Sequence, residues 1–302
     1  MDRSDQRGGT MNTSSHNGDT RSEVELPQGR IRYRDLGQGK PIVFVHGYLV
    51  DGRLWDGTAE RLAEGHRCLV PDWPLGAHRA AMDSAADLSP PAIADLIADF
   101  LEALDLHDVT IVGNDSGGAM SQVLVTRRPE RVGRLVLTNC DTHDNFPPGI
   151  FKLMPPLAKL PGAMTAMGLP FRIAPLRRAA FAPFAKTKIP ADLVDSWMQP
   201  SQSDRGVARD TAKVTAAMNK RHTLEAAERL ASFDRPVLLA WAPGDRFFPI
   251  SYAQRLQETI PDATLEQVED AKTFVPLDQP GRLAELIAGF VGSDRAAPTV
   301  AS

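Results

Sequence analysis

The sequence predicts an α/β fold: a mostly parallel sheet with helices on both faces, broken by a helical insertion. Three observations predict it. First, short β-branched apolar runs alternate with helical patterns of about 10–15 residues, the rhythm of parallel strands joined by crossover helices. Second, one run, Val109-Thr110-Ile111-Val112, ends at Gly113-Asn114-Asp115-Ser116-Gly117-Gly118 and passes directly into a helical pattern. Third, the strand rhythm stops between positions 142 and 232 and then resumes.

Size and charge bound the rest. The chain has 302 residues, enough for one large domain or a core with an insertion. Its net charge is −4 and its basic residues are spread along the whole length, which gives no field for nucleic acid or an anionic membrane. The expected partner is a small-molecule substrate, with no nucleic acid and no membrane, and a homodimer is left open. Cys68 and Cys140 both sit in apolar strand-like runs, as buried thiols of a reducing compartment do. No apolar run approaches the ~20 residues of a membrane span, and the N-terminus lacks an apolar leader, so a cytoplasmic location is expected.

Residues 1–22 are Ser, Gly, Asp, Arg and Asn with almost nothing to bury, and are expected to be a disordered tail. The alternating stretches 24–26 and 31–33 predict an opening antiparallel hairpin. The run 42–45 predicts a buried strand ending in His46-Gly47-Tyr48, followed by a helix over 53–64 and a strand over 66–70. The clearest helix is 92–104, where Ile93, Leu96, Ile97, Phe100, Leu101 and Leu104 fall on one face at helical spacing. After the strand that begins at Val109 and its helix comes a strand over 134–138, ending near Asn139-Cys140-Asp141. The segment 142–232 holds ten of the 24 prolines together with Met154, Met164, Met167, Phe151, Phe171, Phe181, Phe184 and Trp197. Short helical pieces joined by prolines are expected here, laid as a cap over the sheet. Strands at 236–241 and 264–268 and a helix at 282–290 complete the core, which comprises 23–141 and 233–292. The last residues, 293–302, are expected to be a flexible tail.

The glycines around Asp115 carry the chemistry. In a strand, sharp turn, helix unit of the G-x-Nu-x-G pattern, the central side chain is lifted above the carboxyl end of the sheet. Gly113 and Gly117 fit because a Cβ at either would collide with the tight turn. Asp115 then stands at the tip. A register shift would put Ser116 there, but the first small position would be Asn114 rather than glycine, which favours Asp115.

Together, the His46-Gly47 loop, this elbow, the helical insertion, the late strand ending in Ala242-Pro243-Gly244-Asp245 and the stretch Phe274-Val275-Pro276-Leu277-Asp278-Gln279-Pro280 resemble the α/β-hydrolase fold. An aspartate at the elbow resembles the haloalkane dehalogenase and epoxide hydrolase branch. The resemblance implies that Asp115 attacks carbon to form an ester, which a histidine-activated water then cleaves. It implies oxyanion-hole N–H groups at Tyr48 and Ser116, and Asp245 as the acid that orients the histidine, with Asp141 as an alternative acid.

The departures are equally specific. The residue at the family's histidine position is Thr273, which cannot act as a base near neutral pH. His143 and His222 are candidate substitute bases. Ser116 follows the nucleophile where dehalogenases carry a halide-binding Trp, Tyr48 replaces their Asn or Trp, and the insertion has no tyrosine of the kind epoxide hydrolases use. Trp197, Phe247 and Phe248 are candidates for the substrate-pocket wall, the two phenylalanines equally for the core. No metal-ligand spacing, phosphate loop or dinucleotide fingerprint is present, so no cofactor and no metal are expected.

Three functions follow. One is a hydrolase of an ester, epoxide or carbon–halogen bond in a small to medium, largely apolar molecule. Another is a non-hydrolytic lyase, isomerase or cyclase with Asp115 as general acid or base. The last is an inactive relative that keeps only the binding pocket.

Overall fold

The computed structural model describes residues 21–293. Eight strands form one sheet: β1 (Arg21–Leu26), β2 (Gly29–Leu36), β3 (Pro41–Val45), β4 (Arg67–Pro71), β5 (Val109–Asp115), β6 (Val132–Cys140), β7 (Val237–Trp241) and β8 (Ala263–Gln267). Their spatial order is β1-β2-β4-β3-β5-β6-β7-β8. The pairs β1/β2 and β2/β4 are antiparallel and every later pair is parallel.

Register sorts the side chains onto two faces. Val43 lies opposite Ile111, and Ile111 opposite Leu135. On that face Val43, Val45, Ile111, Leu135 and Leu137 meet Ile97 and Phe100 of α2 (Pro90–Ala103) and Met120 and Leu124 of α3 (Ser116–Arg127). The alternate residues Ile42, Phe44, Val112, Val136 and Leu238 meet Leu62 of α1 (Asp56–Leu62) and Leu283 and Ile287 of α12 (Pro280–Gly292). Central strands buried on both faces read as continuous apolar runs, which is why these were visible in the sequence.

Between β6 and β7 the chain is helical: α4 (Met154–Ala158), α5 (Ala163–Gly168), α6 (Ala174–Phe181), α7 (Ala191–Ser203), α8 (Arg205–Ala217) and α9 (Lys220–Leu230). Of these, α9 packs along α3 at the flank of the sheet. Helix α10 (Ile250–Thr259) went unforeseen, because only Ala253 and Leu256 are fully buried and so narrow a stripe leaves little periodicity. A short helix, α11 (Val275–Asp278), precedes α12. The hairpin starts earlier than expected, with Arg21 and Ser22 already paired to Arg34 and Tyr33. The rest of the expected N-terminal tail, and the C-terminal one beyond Ser293, lie outside the described residues. Cys68 and Cys140 are free and buried.

Candidate active site

At the end of β5 the chain turns so sharply that Asp115 takes φ 53° and ψ −131°, a strained conformation for a residue with a side chain. Helix α3 starts at the next residue. Close approach makes the turn fit: a Cβ on Gly117 would lie 2.3 Å from the Val45 carbonyl oxygen. One on Gly47 would lie 2.2 Å from Asp115 Oδ2, so the His46-Gly47-Tyr48 loop can pass over the carboxylate only with glycine there. The Tyr48 N–H then donates to Asp115 Oδ2 at 3.1 Å, and the Ser116 N–H also bonds this carboxylate. The two expected oxyanion-hole residues therefore converge on Asp115.

Three carboxyl groups meet here. Burial pushes Asp115 up to about 7 and the negative charge of Asp245 adds to it, while the N–H groups of Ser116 and Tyr48 pull the other way. Burial and the neighbouring Asp115 hold Asp141 well above the usual carboxylate range. Asp141 Oδ2 accepts from Ser116 Oγ at 3.1 Å, and its other oxygen is buried without a partner. A protonated Asp141 is the state such surroundings favour. Asp245 is raised chiefly by burial, opposed by hydrogen bonds from Thr273, Phe247 and Phe248. No Lys, Arg or His side chain is ion-paired with any of the three among the described residues.

Thr273 occupies the position beside Asp245. It is fully buried and its hydroxyl donates to Asp245 Oδ2 at 2.8 Å, while the Phe247 N–H donates to Oδ1 at 2.8 Å. Its loop is tied to the elbow by Asn114, whose Nδ2 donates to the Thr273 carbonyl at 2.7 Å and to Thr138 Oγ1 at 2.8 Å. The structure thus joins Asp115, Asp245 and Thr273 and adds Asn114, which in the sequence marks only the register of the turn. Asn139 similarly fixes the end of β7, accepting from the Ala242 N–H and donating to its carbonyl.

The proposed wall residues lie differently. Trp197 is fully buried, donates to Asp51 Oδ1 at 3.0 Å, and packs on Phe181 and Phe274. Phe248 is fully buried in the core. Phe247 belongs to an aromatic row: it stacks on Phe184 at 4.7 Å, Phe184 stacks on Phe274 at 5.4 Å, and Phe151 leans on Phe247. None of the three lines the large cavity. That cavity, about 800 Å³, lies among the cap helices, walled by Met154, Met164, Met167, Phe171, Met198 and Ala212. It reaches the core at Tyr48 and Leu49, but Asp115 is not in its wall. Tyr48 stands between them, its hydroxyl 2.5 Å from Thr215 Oγ1.

Neither candidate substitute base is hydrogen-bonded to Asp115 or Asp245 among the described residues. His143 Nδ1 lies 3.0 Å from Thr142 Oγ1, and burial with nearby Arg255 pushes the ring down to about 4, a weak base near neutrality. His222, in the last helix of the inserted segment, lies beside Pro91, Thr126 and Arg127, at the far end of α3. About ten helical residues, roughly 15 Å of rise, separate that end from Asp115. His46 is structural: its Nε2 accepts from the Trp73 N–H at 2.8 Å. No group of three or more His, Cys, Asp or Glu side chains is placed to hold a metal among the described residues.

Residues 40–280 match the family model described as alpha/beta hydrolase fold. The chain belongs to the α/β-hydrolase fold family. It is 29% identical over 269 residues to haloalkane dehalogenase 2 of Mycobacterium tuberculosis, covering 86% of this chain and 91% of that one. It is 27% identical over 248 residues to a 2-hydroxy-6-oxononadienedioate/2-hydroxy-6-oxononatrienedioate hydrolase of Pseudomonas putida, covering 78% and 82%. Among solved structures, an α/β-hydrolase fold protein from Burkholderia ambifaria superposes with a TM-score of 0.75 at 21% identity, over 93% of this chain and all of that one. The epoxide hydrolase CorEH superposes with a TM-score of 0.74 at 17% identity, over 90% and 98%. At these identities the solved structures speak for the fold alone.

Proposed function

We propose that this hydrolase-type enzyme uses Asp115 as a nucleophile on a neutral, largely apolar substrate bearing a carbon–halogen, epoxide or activated ester bond. The observation that carries the reading is the carboxylate at the elbow, held by the N–H groups of Tyr48 and Ser116. An Asp115 oxygen forms a bond to the substrate carbon. A haloalkane loses halide with the bonding pair and leaves an alkyl ester. An epoxide opens so that its oxygen keeps the pair, takes a proton from water and stays on the hydroxyalkyl ester. An activated ester expels its alkoxide or phenoxide and leaves an acyl anhydride. The haloalkane dehalogenase relative favours this chemistry over that of the dienedioate hydrolase relative. With no Lys, Arg or His side chain paired at these carboxyls among the described residues, nothing at this point offers a dianionic substrate a counter-charge.

The second half-reaction needs a base to activate water. Thr273 spends its hydroxyl on Asp245 and offers none, so the alkyl ester formed on Asp115 by a haloalkane or epoxide persists, whereas the anhydride from an activated ester is open to uncatalysed hydrolysis. Intact-protein mass spectrometry after incubation with haloalkanes, epoxides and activated esters tests this. A lasting adduct on the wild type that is absent from Asp115→Asn is the expected result, and an unmodified wild type across the panel sinks the nucleophile reading. A second reading is supported by Asp115 standing at about 7, poised to exchange a proton near neutrality. As a general acid or base in a non-hydrolytic reaction it would give turnover with no adduct, and Asp115→Asn would abolish that turnover.

A further inference from the structure

Seven large aliphatic side chains stand exposed among the described residues, and all seven lie between positions 150 and 176. Ile150 is 75% exposed, Leu153 62% and Ile173 56%. They sit on the short cap elements from Gly149–Leu153 through α4, α5 and α6. Apolar exposure gathered in one place marks a surface that meets another apolar phase.

Charge decides which phase. Positions 145–191 hold seven lysines and arginines and no aspartate or glutamate. Against the whole-chain charge of −4, the rest of the chain carries −11. The even spread of basic residues expected from the whole chain does not hold here. Arg177 and Arg178 pair with Asp195, and Lys186 with Asp270. Lys152, Lys159, Arg172 and Lys188 make no salt bridge among the described residues. Lys159 and Arg172 stand, with Leu160, in the wall of the large cavity.

A second copy of this chain fits this face poorly. A two-fold contact would set the patch against itself and bring like charges together. An anionic bilayer suits both properties, since exposed leucines and isoleucines enter the headgroup boundary while lysines and arginines meet lipid phosphates. We infer that the cap face built from residues 150–176 docks on an anionic phospholipid membrane, with the mouth of the cap cavity turned toward the lipid. Apolar molecules dissolved in the bilayer would then reach the cavity without crossing bulk water. The inference is independent of which bond Asp115 attacks, and it replaces the no-membrane expectation drawn from net charge.

Co-sedimentation of the full chain with phosphatidylcholine vesicles, with and without phosphatidylglycerol, tests it. Binding to the anionic vesicles, release by high salt and little binding to pure phosphatidylcholine are expected. Lys152→Gln should weaken binding about fivefold, as expected for one basic residue at the headgroup surface. The triple variant Ile150→Ser, Leu153→Ser, Ile173→Ser should keep its circular dichroism spectrum and lose binding. Absence from both pellets, or equal binding to both vesicles, would overturn the inference. So would a dimer in sedimentation velocity that the triple variant dissolves, since the face would then belong to a second copy.

Discussion

Asp115 sits in surroundings that resist its charge. Its folded value of about 7 lies above the ordinary carboxylate range, so burial favours the protonated form. A raised carboxyl stabilises the fold below the unfolded value, and that contribution is lost as pH climbs through about 7. Asp115→Asn keeps an oxygen for the Tyr48 and Ser116 N–H groups and cannot ionise. The variant should gain roughly 2–4 kcal/mol over wild type at pH 8 relative to pH 4, read by urea denaturation at the two pH values. Attack, by contrast, needs the ionised form. The rate of adduct formation should rise with pH up to about 7 and level off above it, and a flat profile would show that Asp115 ionisation does not limit the step. Trp197 is a different case, being bonded to Asp51 and closed off from the cavity. Trp197→Phe should cost about 1–3 kcal/mol by leaving the buried Asp51 oxygen short of a donor, with adduct formation unchanged. A changed substrate preference in that variant would place it at the substrate after all. Asp115, Asp245 and Thr273 were legible in the sequence because turn glycines and motif order mark them. The burial of Trp197 and the remoteness of His222 were not, since both depend on how α7 and α9 dock.

The elements at the site are a strand, a turn and two loops pressed together. Strand and turn could be read from β-branched runs and glycines, whereas α10 escaped because most of its surface is exposed. The aromatic row was invisible for a related reason: Phe184, Phe247 and Phe274 come from three distant segments and meet only in the fold. That row bears on the most direct test of the proposed second half-reaction. If Asp115 carries the proposed ester, Thr273→His should release it and convert a stoichiometric reaction into turnover, followed as product formed per enzyme. The imidazole is larger than the side chain it replaces, in a fully buried position next to Phe274, so overpacking should cost about 1–3 kcal/mol. If the single variant unfolds, Phe184→Ala in the same chain opens the row. A folded histidine variant that still holds its adduct would mean that more than the base is missing.

Across the whole molecule, the sheet and its two core layers follow from the alternation of apolar runs, while the cavity does not. Its walls come from α4, α5, α7 and α8, whose mutual packing no local pattern records. Methionine lining gives it adaptable walls, so ligands of varied shape should fit. A non-reactive apolar compound at about 100 times its Kd should stabilise the fold by about 2.7 kcal/mol, seen as a raised Tm. Ala212→Trp, which fills the cavity, should remove that rise; an equal rise in the variant would locate the ligand elsewhere. Finally, Asn114 joins the elbow to residue 273 across 159 positions of sequence, and it does so through the backbone carbonyl of Thr273, not through its side chain. That one tie does not depend on the side chain at 273, although the side chain itself is buried against Asp245. On the proposed chemistry, substitution at 273 changes the water-activating step while leaving this tie to the elbow in place. Along a lineage, turnover could then be lost and regained with the elbow kept and only the packing around 273 adjusted.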